Sequence, residues 1–476
     1  MPTRSVVQEF PDDVDWVNVS ERPSLASLRG RVVLLVFFGY DSIHSINLIP
    51  ALRQLQTKYH DGVAVLGIHV PKYAAQRDKA VVLKAANRLH LRFPVANDAD
   101  WVLWRQLEIE AWPSVLVLDC EGQQAARVQG DDCVRQLDEL VAALLDEAAA
   151  RDLRRFDPAP TSSRPEPRLT LRFPGALALA GERLYVSDSA HNRVLECNRE
   201  GRVLRQFGSG NPGYWDGHST DAGFCDPQGL VLLGDALFVA DTGNHAVRRI
   251  RLLTSDVTTV LGRGELGYDA PRGGVAGTDL AISAPVGVAA SADRLYVSLA
   301  GQHQIWQLHL GDGRVDVLAG SGLADVVDGA ARSAAFAQPA ALALLTGQLL
   351  VADAGGNALR AMRLADGMVS TLAGAGRWHP GKGESGACLA HPLAVGVDGA
   401  GHVFIADTLN DRVVVYAGTG TGAGAGVRVL KLGERLHEPA GLCVDGRTLW
   451  LADRNAHAIL RVSLENGEIR RVPIGE

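Results

Sequence analysis

A serine, a histidine and an aspartate lie close together in the stretch Asp41-Ser42-Ile43-His44-Ser45. These are the side chains of a hydrolytic triad, in which histidine removes the serine proton and aspartate orients the histidine. Residues two apart at the start of a helix face different directions, so these three cannot form the hydrogen-bonded chain that a triad needs. Short polar side chains at such a place are typical of a helix N-cap, which binds free backbone amides. We therefore predict that Asp41 or Ser42 caps a helix and that no catalytic residue lies here; a binding role for His44 is the alternative.

A repeated aspartate in the second half of the chain is the next candidate. Short apolar segments end in this aspartate, while one equivalent segment ends in Leu299, whose turn is therefore either less stable or used for a different contact. Rings of carboxylates and histidines hold Ca²⁺ or Zn²⁺ in some enzymes, but a metal needs only three or four ligands. An aspartate in nearly every repeat is better explained by hydrogen bonds from the backbone of the adjoining turn. We predict structural aspartates and neither a metal nor another cofactor, with a metal site as the alternative. The aspartates are Asp188, Asp241, Asp353, Asp407 and Asp453, and histidines in the following turns are His191, His245, His303 and His457.

Aromatic side chains in glycine-rich loops of the same half are candidates for contact with a partner. Aromatic residues on clustered loops are common at recognition surfaces, whereas packing of the loops on one another is the alternative. The candidates are Tyr214, Trp215, Tyr268, Trp378 and His379.

The elements that position these residues follow from a repeat of about 50 residues. Each repeat contains a proline that opens a strand, and about 14 residues later comes the residue that closes a second strand. Two further strands follow in each repeat. Six such units predict an all-β propeller of six four-stranded blades over residues 169–476, a ring without long free edges. We expect the segment Leu169–Phe173 to add a strand to the last blade and so lock the ends of the ring together.

The first part of the chain has a different pattern, in which continuous apolar runs alternate with helical periodicity. The runs predict strands buried on both faces of a sheet, and the order of elements predicts a small α/β domain over residues 1–150. A proline-rich stretch, 151–168, is predicted to be a linker. The strands are expected at 32–38, 62–70 and 114–118, the last of which turns at 119–122 into a further strand, and the helices at 42–59, 75–89, 101–107 and 134–148.

Composition excludes several classes of function. The net charge of −7 leaves no basic footprint for nucleic acid or an anionic membrane. The six cysteines are scattered, with no C-x-x-C pair and no zinc-ligand spacing. No apolar run is long enough to span a bilayer, and the N-terminal residues do not have the pattern of a secretory signal. We therefore expect a cytoplasmic protein with reduced thiols.

Two stretches carry a family resemblance. Asp241-Thr-Gly-Asn-His-Ala-Val247 and Asp407-Thr-Leu-Asn-Asp-Arg-Val413 resemble the NHL repeat. The first domain is similar to thioredoxin-like domains of the peroxiredoxin and thiol-disulfide branch, and Trp112-Pro113 before a strand matches the place of their cis-proline. Their combination in this order resembles the family of NHL repeat-containing protein 2 and its bacterial relatives. The resemblance implies a peptide-binding edge at Trp112-Pro113; a turn kept only for folding is the alternative.

The resemblance also implies a redox pair that this chain lacks. Ser42 and Ser45 occupy the positions of the two cysteines, with Pro50 following at the family's place. A serine hydroxyl supplies neither the thiolate nor the sulfur leaving group of disulfide exchange. Our leading hypothesis is therefore a non-catalytic binding or scaffold protein whose propeller docks a protein or peptide. A metal-dependent hydrolase of the propeller lactonase or lyase type and a residual thiol-disulfide oxidoreductase using Cys120 or Cys133 are the alternatives.

Overall fold

The computed structural model of the chain describes residues 7–155, 162, 166–271, 275–374, 376, 389–417 and 426–475. It divides into two compact units, Met1–Pro167 and Arg168–Glu476. Within those described ranges, no helix is both long and apolar enough to cross a membrane.

The first unit is an α/β domain built on one mixed sheet in the order β1-β4-β3-β2-β5-β6. Strands β2, β3 and β4 are parallel, while β1, β5 and β6 run antiparallel to their neighbours. The strands are β1 (Asp15–Val17), β2 (Val32–Phe38), β3 (Val63–His69), β4 (Val95–Asn97), β5 (Ser114–Leu118) and β6 (Gln124–Gln129); the helices are α1 (Ile43–Tyr59), α2 (Lys79–Arg88), α3 (Val102–Gln106) and α4 (Val134–Ala150).

The central strand explains why this sheet forms where the apolar runs lie. Every residue of β2 is buried, as expected for a strand covered on both faces. Leu35 and Phe37 on one face pack with Leu66, Ile68 and Trp104 in a single apolar cluster. The predicted fold class is confirmed, and sequence analysis missed only the two short strands β1 and β4.

The stretch that we predicted to be a linker is in part attached to the first unit. The backbone amide of Arg155 donates to the carbonyl of Gly30 at 3.0 Å. The backbone amide of Ser162 donates to the carbonyl of Asn18 at 3.1 Å. Glu166 pairs with Lys84 at 3.0 Å. The first unit therefore extends beyond residue 150, to Pro167.

The second unit is a six-bladed β-propeller, as predicted. Its described residues form one sheet per blade, and every blade is a continuous piece of the chain. Blade 1 contains β7 (Leu177–Ala180), β8 (Arg183–Asp188), β9 (Arg193–Asn198) and β10 (Val203–Phe207); blade 2 contains β11 (Gly217–His218), β12 (Pro227–Leu233), β13 (Ala236–Asp241), β14 (Ala246–Arg251) and β15 (Asp256–Leu261); blade 3 contains β16 (Pro285–Ser291), β17 (Arg294–Leu299), β18 (Gln304–His309) and β19 (Val315–Ala319). Blade 4 contains β20 (Gly329–Ala330), β21 (Pro339–Leu345), β22 (Gln348–Asp353), β23 (Ala358–Arg363) and β24 (Met368–Gly374); blade 5 contains β25 (Ala394–Val397), β26 (Val403–Asp407), β27 (Arg412–Tyr416) and β28 (Val427–Val429); blade 6 contains β29 (Pro439–Asp445), β30 (Thr448–Asp453), β31 (Ala458–Ser463) and β32 (Ile469–Val472).

Blades 2 and 4 differ from the others by a short outer strand taken from the loop that enters the blade. β11 pairs with β15, and β20 pairs with β24 in the same way. The entering loop thus becomes part of the sheet in these two blades.

Glycines let the innermost strands approach one another around the axis. A Cβ atom on Gly229 would lie 2.5 Å from the carbonyl oxygen of Val286 in the next blade, and one on Gly287 would lie 2.2 Å from that of Ala340. The Pro-x-Gly pattern of these strands is therefore a requirement of packing between blades.

The ring closes differently from our prediction. Leu169–Phe173 forms no strand, although the amide of Phe173 donates to Nδ1 of His457 in blade 6 at 3.1 Å. At the other end, the amide of Val203 in blade 1 donates to the carbonyl of Gly475 at 2.6 Å. The expected extra strand was wrong; the ends are joined by the hydrogen bond of Phe173 and by a parallel bridge between Arg202 and Gly475, in which the amide of Gly475 also donates to the carbonyl of Gly201 at 3.0 Å.

Candidate functional sites

The two serines at the redox positions serve the start of helix α1. Ser42 is its N-cap, and its Oγ accepts a hydrogen bond from the amide of Ser45 at 3.4 Å. The Oγ of Ser45 accepts from the amide of Gly39, also at 3.4 Å. Both side chains are buried. The hydroxyls thus satisfy backbone amides, the chemistry of a helix cap.

Asp41 and His44 contact different partners. The buried carboxylate of Asp41 accepts from Lys72 Nζ at 2.8 Å and from Gln76 Nε2 at 3.0 Å. Nδ1 of His44 lies 3.1 Å from the buried carboxylate of Asp131. The nitrogen that a triad would aim at Asp41 therefore faces Asp131. Sequence analysis missed Lys72, Gln76 and Asp131, because each lies far along the chain from its partner.

An aromatic cluster lies beside this helix end. The Trp112-Pro113 peptide bond is cis, and the half-buried ring of Trp112 stacks on Trp104 with centroids 4.2 Å apart. Trp101 meets Trp112 edge-on at 5.4 Å. Nζ of Lys72 lies 4.9 Å from the Trp112 ring centroid, a cation–π distance. Lys72 thereby links Asp41 to the aromatic cluster.

The thiols of the first unit are poor nucleophiles. Burial, assisted by the negative charge of Asp119, raises the pKa of Cys120 to about 11. Burial and the negative charge of Asp132 likewise raise the pKa of Cys133 to about 11. Because the thiolate is the reactive form, both groups are almost entirely unreactive thiols near pH 7.

The repeated aspartates are buried and bind backbone amides. One oxygen of each accepts from an amide of the loop that enters its own blade, 15 to 17 residues earlier in the chain, and Asp353 also accepts from the amide of Gly356 in its adjoining turn. The loop must be fixed at this point because the first strand of the blade begins just after it. The donors are the amides of Arg172 for Asp188 (2.7 Å), Cys225 for Asp241 (2.7 Å), Gln338 for Asp353 (2.8 Å), Ala390 for Asp407 (2.6 Å) and His437 for Asp453 (2.6 Å).

The second carboxylate oxygen usually binds side chains of the following turn or strand. Asp188 accepts from His191 at 2.9 Å, and Asp407 accepts from Asn410 at 2.9 Å. Asp241 accepts from both Asn244 and the fully buried Arg248, at 2.8 and 2.9 Å. Burial nevertheless raises the pKa of Asp241 to about 6, since desolvation outweighs these favourable contacts.

Histidines of the same turns hold neighbouring blades together. Nδ1 of His245 accepts from the amide of Ala284, in the loop that enters blade 3, at 3.2 Å. Nδ1 of His457 accepts in the same way from the amide of Phe173, in the loop that enters blade 1. His191 lies one residue earlier in its turn and binds Asp188 instead. Among the residues that the structure describes, no group of three or more His, Cys, Asp and Glu side chains is arranged to hold a metal ion.

In blade 3 the side-chain amide of Gln302 takes the place of the missing carboxylate. Leu299 is buried in the apolar core, and Oε1 of Gln302 accepts from the amide of Ser283 at 3.0 Å. Ser283 stands 16 residues before Leu299, at the place where Cys225 precedes Asp241. Gln302 thus makes the hydrogen bond that aspartate makes elsewhere. The sequence signal was a glutamine in the turn of the one blade without aspartate.

The central channel has little polar chemistry. It encloses about 90 Å³ between the first strands of the blades, and glycine and aliphatic residues make up most of its lining. Gln228 is the one polar side chain among the described residues that line it. A metal-dependent hydrolase with its ion in the channel would need carboxylates or histidines at this place to bind the metal.

Buried arginines fix the loops that enter blades 2 and 4. Nη2 of Arg248 donates to the carbonyl of Trp215 and to Oδ1 of Asp216, both at 2.8 Å. Nη2 of Arg360 likewise donates to the carbonyl of Val327 and to Oδ1 of Asp328, both at 2.9 Å. Each guanidinium therefore lies between a buried aspartate and a loop aspartate, an arrangement that sequence analysis missed.

The predicted contact aromatics in the loops that enter blades 2 and 3 are exposed. The exposed fractions are 36% for Tyr214, 47% for Trp215 and 39% for Tyr268. The OH of Tyr214 donates to the carbonyl of Gly262 at 3.1 Å, so part of this ring packs on the neighbouring loop. Trp378 and His379 lie outside the described residues.

Known protein families match parts of both units. The Thioredoxin-like family matches residues 30–124, and the NHL repeat matches residues 224–250. Thiol-disulfide oxidoreductase YkuV of Bacillus subtilis is 24% identical over 148 residues, which are 31% of this chain and 99% of that protein. Streptogramin B lyase superposes on 65% of this chain and 85% of its own, with a TM-score of 0.42 and 11% identity.

Relatives from a plant and from vertebrates match over almost the whole chain. Protein SUPPRESSOR OF QUENCHING 1, chloroplastic, of Arabidopsis thaliana is 34% identical over 98% of this chain, which spans about half of that protein's length (47%). NHL repeat-containing protein 2 of Gallus gallus is 31% identical over 98% of this chain and 71% of its own. With a thioredoxin-like domain, an NHL propeller and this degree of identity, the chain belongs to the family of NHL repeat-containing protein 2.

Proposed function

We propose that this chain is a non-catalytic docking protein, in which a redox-inactive thioredoxin-like domain accompanies a propeller that binds a protein or peptide. The observation that carries the proposal is the state of Ser42 and Ser45. Both occupy the redox positions at the start of α1, and both hydroxyls are bound to backbone amides. Disulfide exchange at this place has neither an attacking thiolate nor a sulfur leaving group.

Other potential reactive groups are also engaged in maintaining the fold. Cys120 and Cys133 have a pKa of about 11, so neither supplies a thiolate near neutral pH. The repeated aspartates bind entering loops, and His245 and His457 bind neighbouring blades. These contacts favour a structural role for the repeat over a hydrolytic one.

A protein or peptide partner fits the surface of the propeller better than a nucleic acid. The NHL propeller is generally a protein-interaction module. The loops between its blades carry exposed aromatic side chains, and the net charge of the chain is −7. A negatively charged protein does not attract a polyphosphate backbone.

The test compares the wild-type chain with the double variant Ser42→Cys/Ser45→Cys in reduction of a protein disulfide by dithiothreitol. We expect the wild type to add nothing to the uncatalysed rate and the double variant to accelerate it, because the two thiols then lie at a helix N-terminus, where thiolates are stabilised. Ser42→Ala/Ser45→Ala is the matched control without thiols.

A wild-type rate clearly above the uncatalysed one would contradict the proposal. If that rate disappeared in Cys120→Ser or Cys133→Ser, the residual oxidoreductase suggested by the likeness to YkuV would take its place. Metal analysis of the purified chain addresses the hydrolase: a stoichiometric, tightly held Zn²⁺ or Ca²⁺ would favour it over a docking protein.

A further inference from the structure

Three entering loops of the propeller are structural equivalents. Each begins with a parallel bridge to the residues that lead into the next first strand: Pro212 with Phe224, Leu266 with Ile282, and Ala324 with Phe336. Two residues after the bridge stand Tyr214, Tyr268 and Val326, and one residue later stand Trp215, Asp269 and Val327. Blades 2, 3 and 4 therefore present the same type of loop side by side.

These loops carry a set of exposed apolar side chains on consecutive blades. We call this surface the apolar arc and define it by Tyr214, Trp215, Tyr268, Leu323 and Val327. Leu323 is 70% exposed and Val327 is 43% exposed, in addition to the aromatic residues described above. Several large exposed apolar side chains on adjacent loops are typical of an interaction surface rather than of ordinary solvent-exposed structure.

The backbone of the apolar arc is held firmly while its side chains are partly exposed, and Nε1 of Trp215 donates to the carbonyl of Asp221 at 2.6 Å. Arg248 binds the carbonyl of Trp215, and Arg360 binds that of Val327, from positions with no solvent exposure. Asp216 adds hydrogen bonds from the amide and hydroxyl of Thr259, at 3.1 and 2.9 Å. A surface that is ordered before binding loses less conformational entropy on association, which favours affinity.

The charges around the apolar arc indicate the chemistry of its occupant. Residues 208–226 contain three aspartates and no lysine or arginine, and the equivalent residues 320–338 contain two aspartates and one arginine, Arg332. Asp216 and Asp328 are paired with the buried arginines. Asp221 and Asp325 are exposed acidic groups beside Trp215 and Val327. In the middle loop, Arg263 pairs with Glu265.

We propose that the apolar arc docks an extended peptide segment of a partner protein that carries apolar side chains together with lysine or arginine. The inference rests on the proposed docking function and gives it a place and a chemistry. Trp215 and Leu323 supply the apolar contacts, because burial of large side chains dominates binding at such surfaces. Asp221 and Asp325 select basic neighbours of those contacts, because complementary charge at the rim directs specificity and the rate of association.

The test is selection of short random peptides, displayed on phage, against the full chain. We expect the selected peptides to combine tryptophan, leucine or another large apolar residue with lysine or arginine. Trp215→Ser should weaken their binding at least about tenfold. Asp221→Lys should weaken it by a factor that decreases at high salt, because salt screens exposed charges. The matched control is Leu253→Ser, which removes an 84% exposed leucine outside the apolar arc and should leave binding unchanged.

The outcomes separate this inference from the proposed function. Thermal melting of each variant shows whether it is folded, and Asp221→Lys keeps the test valid if Trp215→Ser disturbs its loop. Peptides that bind both variants as tightly as the wild type would place docking elsewhere and overturn this inference alone. Selection of acidic or uncharged peptides would overturn the proposed chemistry of the occupant. If no peptide bound the chain above background, both the inference and the peptide-docking function would be contradicted.

Discussion

Blades 2 and 4 hold their entering loops with a buried ion pair, whereas blade 3 holds its loop with neutral side chains. Asp241 and Asp353 each bind the loop backbone and pair with Arg248 and Arg360. In blade 3, Gln302 binds the loop backbone, and Trp306 stands at the position of the arginines. Both solutions satisfy a buried amide, which is costly to leave without a partner.

The two kinds of blade differ in how much of the entering loop they order. In blades 2 and 4 the arginine reaches a second aspartate, and the loop adds a strand to the blade. In blade 3 the buried Trp306 fills the corresponding space with apolar surface, and the sheet keeps four strands. The charged solution thus orders a larger piece of the surface, at the expense of desolvating two ions.

The largest effect should come from removing one buried guanidinium. Arg248→Met leaves Asp241 buried without its cation and removes the contacts to Trp215 and Asp216, so we expect the free energy of unfolding to fall by about 3–5 kcal/mol. Chemical denaturation followed by circular dichroism measures it. Arg251→Met is the control, because Arg251 is exposed at the end of the same strand and its loss should change stability by less than about 0.5 kcal/mol. Equal effects of the two substitutions would show that the ion pair adds little.

The pH dependence of stability should also distinguish blade 2, which has a buried carboxylate at Asp241, from the neutral blade 3. The pKa of Asp241 rises from 3.8 to about 6 on folding, so the folded chain retains this proton to higher pH than the unfolded chain. This contribution to stability is complete below about pH 4 and is lost as pH rises towards 6, by up to about 3 kcal/mol.

Asp241→Asn cannot titrate, so it provides the reference for this pH effect. Measured between pH 4 and 7, the stability of the wild type should decrease relative to that of the variant as pH rises. A relative increase would mean that the hydrogen bonds to the carboxylate outweigh its desolvation.

The smallest of the three effects should come from the neutral blade. Gln302→Ala leaves the amide of Ser283, a fully buried residue, without its acceptor and should lower the free energy of unfolding by about 1–3 kcal/mol. Gln302→Glu keeps an acceptor oxygen and should be less destabilising than alanine. Thermal melting of the two variants compares them, and an alanine variant as stable as the wild type would remove Gln302 from the comparison.

Much of the fold was predictable because its signals are local. The apolar runs at Val32–Phe38 and Ser114–Leu118 coincide with β2 and β5, since a strand buried on both faces needs an uninterrupted apolar sequence. Strands β1 and β4 were missed because three residues are too few to show a period. The extra strand at Leu169–Phe173 was wrong because alternation of side chains does not indicate whether a neighbouring edge is free.

The candidate sites were less predictable because their contacts are distant in sequence. The turn of Asp241 is visible in the repeat, but the amide it binds belongs to the loop before the blade. Asp41 and His44 are adjacent in sequence to a serine, yet their partners are Lys72 and Asp131. No local pattern specifies such pairs.

The amino-acid sequence by itself determined the six-fold repeat, the α/β domain before it and the serines at the redox positions, because each depends on residue type and spacing along the chain. Only the tertiary structure decided which amide each aspartate binds, that Gln302 replaces the missing carboxylate, and that Arg248 and Arg360 order two exposed loops. Those outcomes depend on which segments meet when the ring closes, since hydrogen bonds and ion pairs form between neighbours in space.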